Sequence, residues 1–363
     1  MTILFLSRLF YPHIGGVEKH VLEVGKRLVE MGHKVIVITE KYQSEGEGAK
    51  VMGEIDGIEI HRIDFGEKIL PFDWFRVKFK KFQIWWWLWQ HKELIEKADI
   101  VHCHDVFFWY LPFRFLFSKK PVYTTFHGYE GNNLPSKKAI FMHKLAEKLS
   151  NGNICVGDYI KKWYRTTSDY VTYGGVDVHL GGAEVVASSP SEVLKGQAKL
   201  RILFIGRLEK DTGVHIYLKV LDILKQKEIK FKFEACGDGT LRRIVMKYGK
   251  VYGFVKDVSK YIDRSDFVFT SSYLSIFEAI SRGKIVFSVF ENKLKEDYLK
   301  LSPFAKWIII KKSPQETVRK IVYYLNHQKE MEIITTTARK WVKDQTWERV
   351  LAVCVALWGH KIP

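Results

Sequence analysis

Cysteine is scarce in this sequence and never paired: four in 363 residues, at positions 103, 155, 236 and 354, with no C-x-x-C spacing. A disulfide framework, a thioredoxin-type redox centre or a zinc ribbon would need close pairs, so Cys103, Cys155, Cys236 and Cys354 read as packing residues. Long apolar runs are also missing. The densest, Ile84 to Trp89, falls far short of the roughly 20 residues that cross a bilayer as a helix. A first strand at Thr2 leaves no room for a secretory leader, which sets the expectation of a cytoplasmic protein, or one held peripherally on the cytoplasmic face of a membrane. No repeat of solenoid period and no low-complexity tract is present. The fingerprint G-x-G-x-x-G is absent, which argues against a dinucleotide dehydrogenase.

What the chain does have is enough length for about two domains and an apolar share of 47%, ample for globular cores. Its net charge of +17 is uneven. Residues 1–75 carry 9 Lys+Arg against 12 Asp+Glu, residues 76–165 carry 16 against 7, and residues 181–363 carry 33 against 20. A local basic block in the first half therefore stands on a slightly acidic background. It reads either as a solvated surface or as a region drawn to phosphates or anionic lipid.

The strand Thr2 to Ser7 is continuously apolar, as a buried parallel strand would be. A loop with Gly15 and Gly16 follows, then Val17, Val21, Val24, Leu28 and Met31 at helical spacing, then the strand Lys34 to Thr39. That is one βαβ unit, and a right-handed crossover follows from it. More strands are predicted at 58–63, 100–102, 122–126, 153–156 and 170–173. The Gly-, Ala- and Ser-rich stretch 181–200 reads as a linker. A second α/β series restarts at Arg201, with strands at 201–205, 232–236, 251–252, 267–270 and 284–287. The predicted fold class is thus α/β: two Rossmann-like, doubly wound domains, 1–180 and 201–345, facing a central cleft. The final stretch 346–363 is a candidate to pack back on the first domain. Ligands of such sheets bind beyond the carboxyl ends of the strands.

Several loops fall there. Gly15 and Gly16 precede a helix N-terminus, where N–H groups and the dipole favour a phosphate; a tight turn needing glycine is the alternative. Arg207 follows the first strand of the second domain, with Lys210 three residues on, and a guanidinium there is placed for a diphosphate. Gly237 follows the next strand. His102, Cys103, His104 and Asp105 suggest a metal cluster, but strand alternation sends the histidines to one face and Cys103 to the other, so no metal site is expected.

Taken in order, GGVEKH at 15–20, TFHG at 125–128, GGVD at 174–177, FIGRL at 204–208, CGDGTL at 236–241, YGF at 252–254 and FEAISRG at 277–283 resemble the family 4 glycosyltransferases of the double-Rossmann (GT-B) kind. The resemblance implies a retaining transferase that needs no metal or other cofactor and uses a UDP- or GDP-sugar as co-substrate. It implies donor contacts from Gly15, Gly16, Arg207, Lys210, Gly237, Ser275 and Glu278, with Arg207 on the diphosphate and Glu278 on the ribose. His127 would lie beside the transferred sugar as the catalytic residue. Cationic and N–H stabilisation of the leaving diphosphate would be the main catalytic term. Two departures stand out. Thr212 takes the place of a lysine expected before Gly213, with Lys210 as a substitute one turn away. The paired glutamates E-x7-E lack their first member, since Thr270 stands eight residues before Glu278.

The segment Phe72 to His91 interleaves aromatics, Trp85 and Trp86 among them, with Arg76, Lys78, Lys80 and Lys81. Such a pattern suits a helix lying in a membrane interface, assisted by Phe107 to Lys120, and the alternative is an aromatic core helix with a buried connection. No RRM or KH signature accompanies it, so nucleic acid is not an expected partner. The expected partners are a nucleotide-sugar donor, a lipid-linked or glycan acceptor and an anionic membrane surface. Competing readings are a nucleotide-sugar-binding protein that has lost catalysis, and a sugar-nucleotide 2-epimerase on the same scaffold.

Overall fold

The computed structural model describes residues 1–13, 15–42, 50–65, 73–128, 134–177 and 190–359, leaving aside the side chains of 73–78 and 190–191. Two compact α/β units emerge. Unit 1 comprises Met1–Tyr129, Pro135–Thr172 and Trp347–Pro363; the body of unit 2 is Tyr173–Thr346.

Unit 1 is built on β1 (Thr2–Ser7), β2 (Lys34–Glu40), β3 (Met52–Ile55), β4 (Ile58–Ile63), β5 (Ile100–His104), β6 (Val122–Phe126), β7 (Gly152–Val156) and β8 (Tyr170–Thr172). Their order in the sheet is β3-β4-β2-β1-β5-β6-β7-β8, parallel except for the β3–β4 hairpin at one edge. The central strands are buried on both faces, as their unbroken apolar sequences require. The C-terminal helix Trp347–Leu357 belongs to this unit. Trp347 is fully buried, Glu348 accepts from Arg27 Nε at 2.8 Å on the helix Gly16–Glu30, and Leu357 lies where a Cβ on Gly152 would stand.

Unit 2 contains β9 (Leu200–Ile205), β10 (Phe231–Cys236), β11 (Lys250–Val251), β12 (Phe267–Phe269), β13 (Ile285–Val289) and β14 (Ile309–Lys311), all parallel, in the order β11-β10-β9-β12-β13-β14. Its core joins the sheet to the helices Val214–Gln226 and Pro314–Asn326 through Phe204, Tyr217, Leu221, Phe269, Phe287 and Ile321. All four cysteines are free and buried, as packing residues should be.

Glu278 lies within the helix Tyr273–Ser281, which is separated from the end of β12 at Phe269 by Thr270, Ser271 and Ser272. The stretch Phe107 to Lys120, expected to assist at a membrane interface, is helical over most of its length. Residues Phe107–Leu116 form a helix that buries Phe107, Trp109, Tyr110 and Phe113 and exposes only Phe115 and Leu116 among its large apolar residues. The expected linker includes a short helix, Pro190–Leu194, while residues 181–189 lie outside the described residues.

Candidate active site

In unit 2 the chain leaves β9 toward β10 on one side and later returns to pair β12 on the other, so β9 and β12 flank the topological switch point. Ligands of open α/β sheets bind at the carboxyl end of such a point. Gly206 and Arg207 follow β9 directly. The Arg207 guanidinium pairs with Asp211 Oδ2 within the single 3-10 turn Lys210–Thr212. Thr212 donates its hydroxyl to the carbonyls of Arg207 and Glu209, at 2.9 and 2.8 Å, which closes the loop under the arginine. Lys210 opens that turn and is exposed.

Gly237 has a reason of its own to be glycine. At φ +150° its missing Cβ would fall 1.8 Å from the Gly206 carbonyl oxygen, so the close approach of the β9 and β10 loops here requires glycine. Ser275 and Glu278 are half-buried and three residues apart on the helix Tyr273–Ser281, hence on one face. Thr270, at the spacing of the missing glutamate, is fully buried, and its carbonyl accepts from Ser288 Oγ.

At the carboxyl edge of unit 1, β1, β5 and β6 are neighbours, and three histidines gather there. His20 comes from the first helix, His104 ends β5, and His127 follows β6, with one ring nitrogen of each within 4.8 Å of the others. His104 Nδ1 and His127 Nε2 are 3.2 Å apart. The His102 and His104 rings stack at 4.9 Å, so alternation did place both on one face. Trp358 Nε1, a donor only, reaches His102 Nδ1 at 3.1 Å. His102 therefore carries its proton on Nε2 and donates to Thr125 Oγ1 at 2.8 Å.

Burial is the largest cause in every case, and it holds all four imidazoles neutral. His20 is lowered to about 4 and His102 to about 3, while His104 and His127 lie well below the ordinary histidine value. His20 Nε2 and His104 Nε2 are buried and meet no hydrogen-bond partner among the described residues. Three neutral imidazoles are a donor set that suits zinc, copper or nickel, and the 3.2 Å His104–His127 spacing fits a shared proton or two ligands of one tetrahedral ion alike. Backbone contacts fix His127 from both sides. Its N–H donates to Asp105 Oδ1 at 2.7 Å, and its carbonyl accepts from Tyr159 OH at 2.9 Å. Asp105 holds a left-handed backbone at φ 61°, a conformation aspartate tolerates better than most residues.

Gly15 and Gly16 lie near this edge, and neither has left-handed backbone. A Cβ on Gly16 would meet nothing within 4 Å, so the turn itself does not demand glycine there. A Cβ on Gly15 would strike the Glu18 carboxylate, which also accepts from His13 Nδ1 at 2.9 Å. Negative charge at this helix start is thus already supplied by Glu18.

Residues 14–180 match the family model for Glycosyltransferase Family 4, and residues 188–341 the model for Glycosyl transferases group 1. The chain belongs to this glycosyltransferase family. It is 23% identical over 379 residues to an uncharacterized glycosyltransferase of Methanocaldococcus jannaschii, covering 96% of this chain and 95% of that one. It is 25% identical over 250 residues to the phosphatidylinositol N-acetylglucosaminyltransferase GPI3 subunit of Saccharomyces cerevisiae. That match takes in 66% of this chain and 53% of the yeast subunit, so the chain spans about half of that relative's length. In fold it resembles sucrose-phosphate synthase from Thermosynechococcus elongatus (TM-score 0.74, 14% identity, 98% of each chain) and a glycosyltransferase from Rickettsia africae (TM-score 0.66, 17% identity, 99% of each).

In this member of the glycosyltransferase family, the aromatic segment is the helix Asp73–Gln90. Ile84 and Leu88, four apart, are buried, while Phe79, Phe82, Trp86 and Trp89 are 52, 53, 63 and 48% exposed along the opposite stripe. Trp85 does not join them. It is half-buried, and its Nε1 donates to the Phe108 carbonyl at 3.0 Å. Lys80 pairs with Glu40 at 2.7 Å, whereas Lys81 is exposed and lies over the Phe82 ring. The side chains of Arg76 and Lys78 lie outside the described residues.

Proposed function

We propose that this glycosyltransferase transfers a sugar, with retention, from a UDP- or GDP-linked donor to an acceptor displayed at an anionic membrane. In the reaction the anomeric carbon exchanges its bond to the diphosphate for one to an acceptor hydroxyl, whose proton is passed to the departing phosphate. Arg207 holds the diphosphate at the switch point of unit 2, Ser275 and Glu278 address the nucleoside side, and His127 contacts the sugar. Gly16 leaves room for a ligand to approach backbone. With Thr270 buried, the donor sugar is held without the first carboxylate of the family's pair, so its hydroxyls rely on other groups.

The stripe of Phe79, Phe82, Trp86 and Trp89 is the observation that carries the acceptor side. Four large exposed rings on one helix face, opposite a buried Ile84–Leu88 ridge, are too much apolar surface for a solvated helix. The exposed Lys81 and Lys92 lie over the Phe82 and Trp89 rings, at 5.5 and 5.3 Å, where they can reach lipid phosphates as the rings insert. The relatives named as phosphatidylinositol N-acetylglucosaminyltransferase subunits support an acceptor of the same lipid-borne class. No helix among the described residues is long and apolar enough to cross a membrane.

Wild-type protein should co-sediment with vesicles containing phosphatidylserine at low salt. Changing Phe82, Trp86 and Trp89 to serine should abolish this while leaving the melting temperature within a degree or two, because these rings are exposed. Each lysine near the surface contributes about 1 kcal/mol, so Lys81→Glu should weaken binding roughly tenfold. Wild-type protein that ignores such vesicles would contradict the membrane reading. For the donor side, Arg207→Ala should weaken UDP or GDP binding by about 1.5–3 kcal/mol in calorimetry, the value of a charged hydrogen bond. Unchanged affinity would remove Arg207 from the site.

A further inference from the structure

A second cation reaches the Arg207 loop from an element far away in sequence. Lys295 is in the first turn of the helix Lys293–Lys300, where its N–H is capped by the Asn292 side chain at 2.7 Å. Its stem is partly exposed, but its ammonium turns inward over the Tyr298 ring, 3.9 Å from the centroid, and donates to the Ser271 carbonyl at 2.6 Å. Ser271 lies just beyond β12, and β12 pairs with β9 so that Phe269 is opposite Phe204. Two residues past Phe269 and three past Phe204, Ser271 and Arg207 therefore share the carboxyl edge at the switch point.

The surroundings leave this ammonium short of negative charge. Burial pulls Lys295 down to about 8, with Arg207 lowering it and Asp211 alone among acids raising it. Asp211 is already paired to Arg207, and its Oδ1 is buried with no hydrogen-bond partner among the described residues. Lys295 thus lies covered beside the partly exposed Arg207–Asp211 pair, and a buried ammonium without a carboxylate of its own costs stability unless an anion completes it. Thr212, where the family resemblance expects a lysine, spends its hydroxyl on two carbonyls and brings no charge.

We propose that Lys295 is a binding residue for the donor diphosphate, working with Arg207 as the second cation of that site. The proposal rests on the donor reading given above and adds a residue from outside the Arg207 loop. The nucleoside diphosphate supplies the missing negative charge, and Lys295, fixed by the Ser271 carbonyl and the Tyr298 ring, meets it without ordering a free side chain.

The test is calorimetric titration of wild type, Lys295→Met and Arg207→Ala with UDP, GDP, uridine and guanosine, beside thermal melts of the ligand-free proteins. Lys295→Met should lose at least tenfold in affinity for the nucleoside diphosphate, keep its affinity for the nucleoside, and melt no lower than wild type, since a partly unmatched charge has gone. Equal nucleoside diphosphate affinity in Lys295→Met, with Arg207→Ala impaired, would overturn the role of Lys295 alone. A lower melting temperature with nucleoside and nucleoside diphosphate weakened alike would make it a structural residue and also overturn the proposal. Wild-type protein that binds neither UDP nor GDP would remove the donor reading and Lys295 with it.

Discussion

Lowering the pH from 7.5 to 5.5 should destabilise unit 1 by about 5.5 kcal/mol through His20, His102, His104 and His127, with the buried His143, lowered to about 4, adding to that. In the unfolded chain these imidazoles titrate near the ordinary value of about 6.5. In the folded chain burial lowers all four, His20 to about 4 and His102 to about 3. A depressed histidine favours the fold fully above the unfolded value. That contribution is lost as pH falls through 6.5 toward the folded value, because the unfolded state takes up protons first. Each imidazole contributes about 1.4 kcal/mol over this interval, which gives the sum for four. Domains are stable by only about 5–15 kcal/mol, so unit 1 should unfold at pH 5.5 under mild denaturant that leaves unit 2 folded. Of the 11 tryptophans, only Trp307 and Trp341 belong to unit 2, so tryptophan emission during urea titration reports mainly on unit 1. Equal midpoints at the two pH values would mean that these histidines titrate freely.

Changing His127 to alanine should cut sugar transfer by about 10²–10³-fold, the usual cost of losing one preorganised group at a reaction centre. Donor affinity should change less than twofold, since the diphosphate contacts proposed above lie on Arg207 and Lys295. The loop should persist in the variant, because Asp105 and Tyr159 hold the His127 backbone and not its ring. The rate should also show no histidine titration between pH 6.5 and 8, as the imidazole is already neutral there. Full transfer by His127→Ala would exclude it from the mechanism.

Both sheets were readable because their central strands are unbroken apolar runs, and the loops after β1, β6 and β9 were readable because glycine, histidine and arginine interrupt those runs. The β3–β4 hairpin was missed. Its first strand is exposed and weakly apolar, although Asp56 and Gly57, at φ 49° and 76°, supply the two-residue turn that marks such a hairpin. His20, His104 and His127 could not be grouped from the sequence, since only the adjacency of β1, β5 and β6 joins residues so far apart. Lys295 gave no local sign either. Its charge matters because β12 brings the Ser271 carbonyl beside the Arg207 loop. In the aromatic helix the period was visible, but which face was buried depended on Ile84 and Leu88, and Trp85 turned inward to the Phe108 carbonyl.

Unit 2 is proposed to bind a nucleoside diphosphate sugar through its diphosphate. A thermal-shift titration of the wild-type chain with UDP- and GDP-sugars, the free diphosphates and the bare nucleosides tests it most directly. At about 100 times its Kd, one diphosphate series should stabilise the fold by about 2.7 kcal/mol, visible as a rise of a few degrees in the melting temperature. The nucleosides should do much less. No shift with any diphosphate, or equal shifts with diphosphates and nucleosides, would contradict the account.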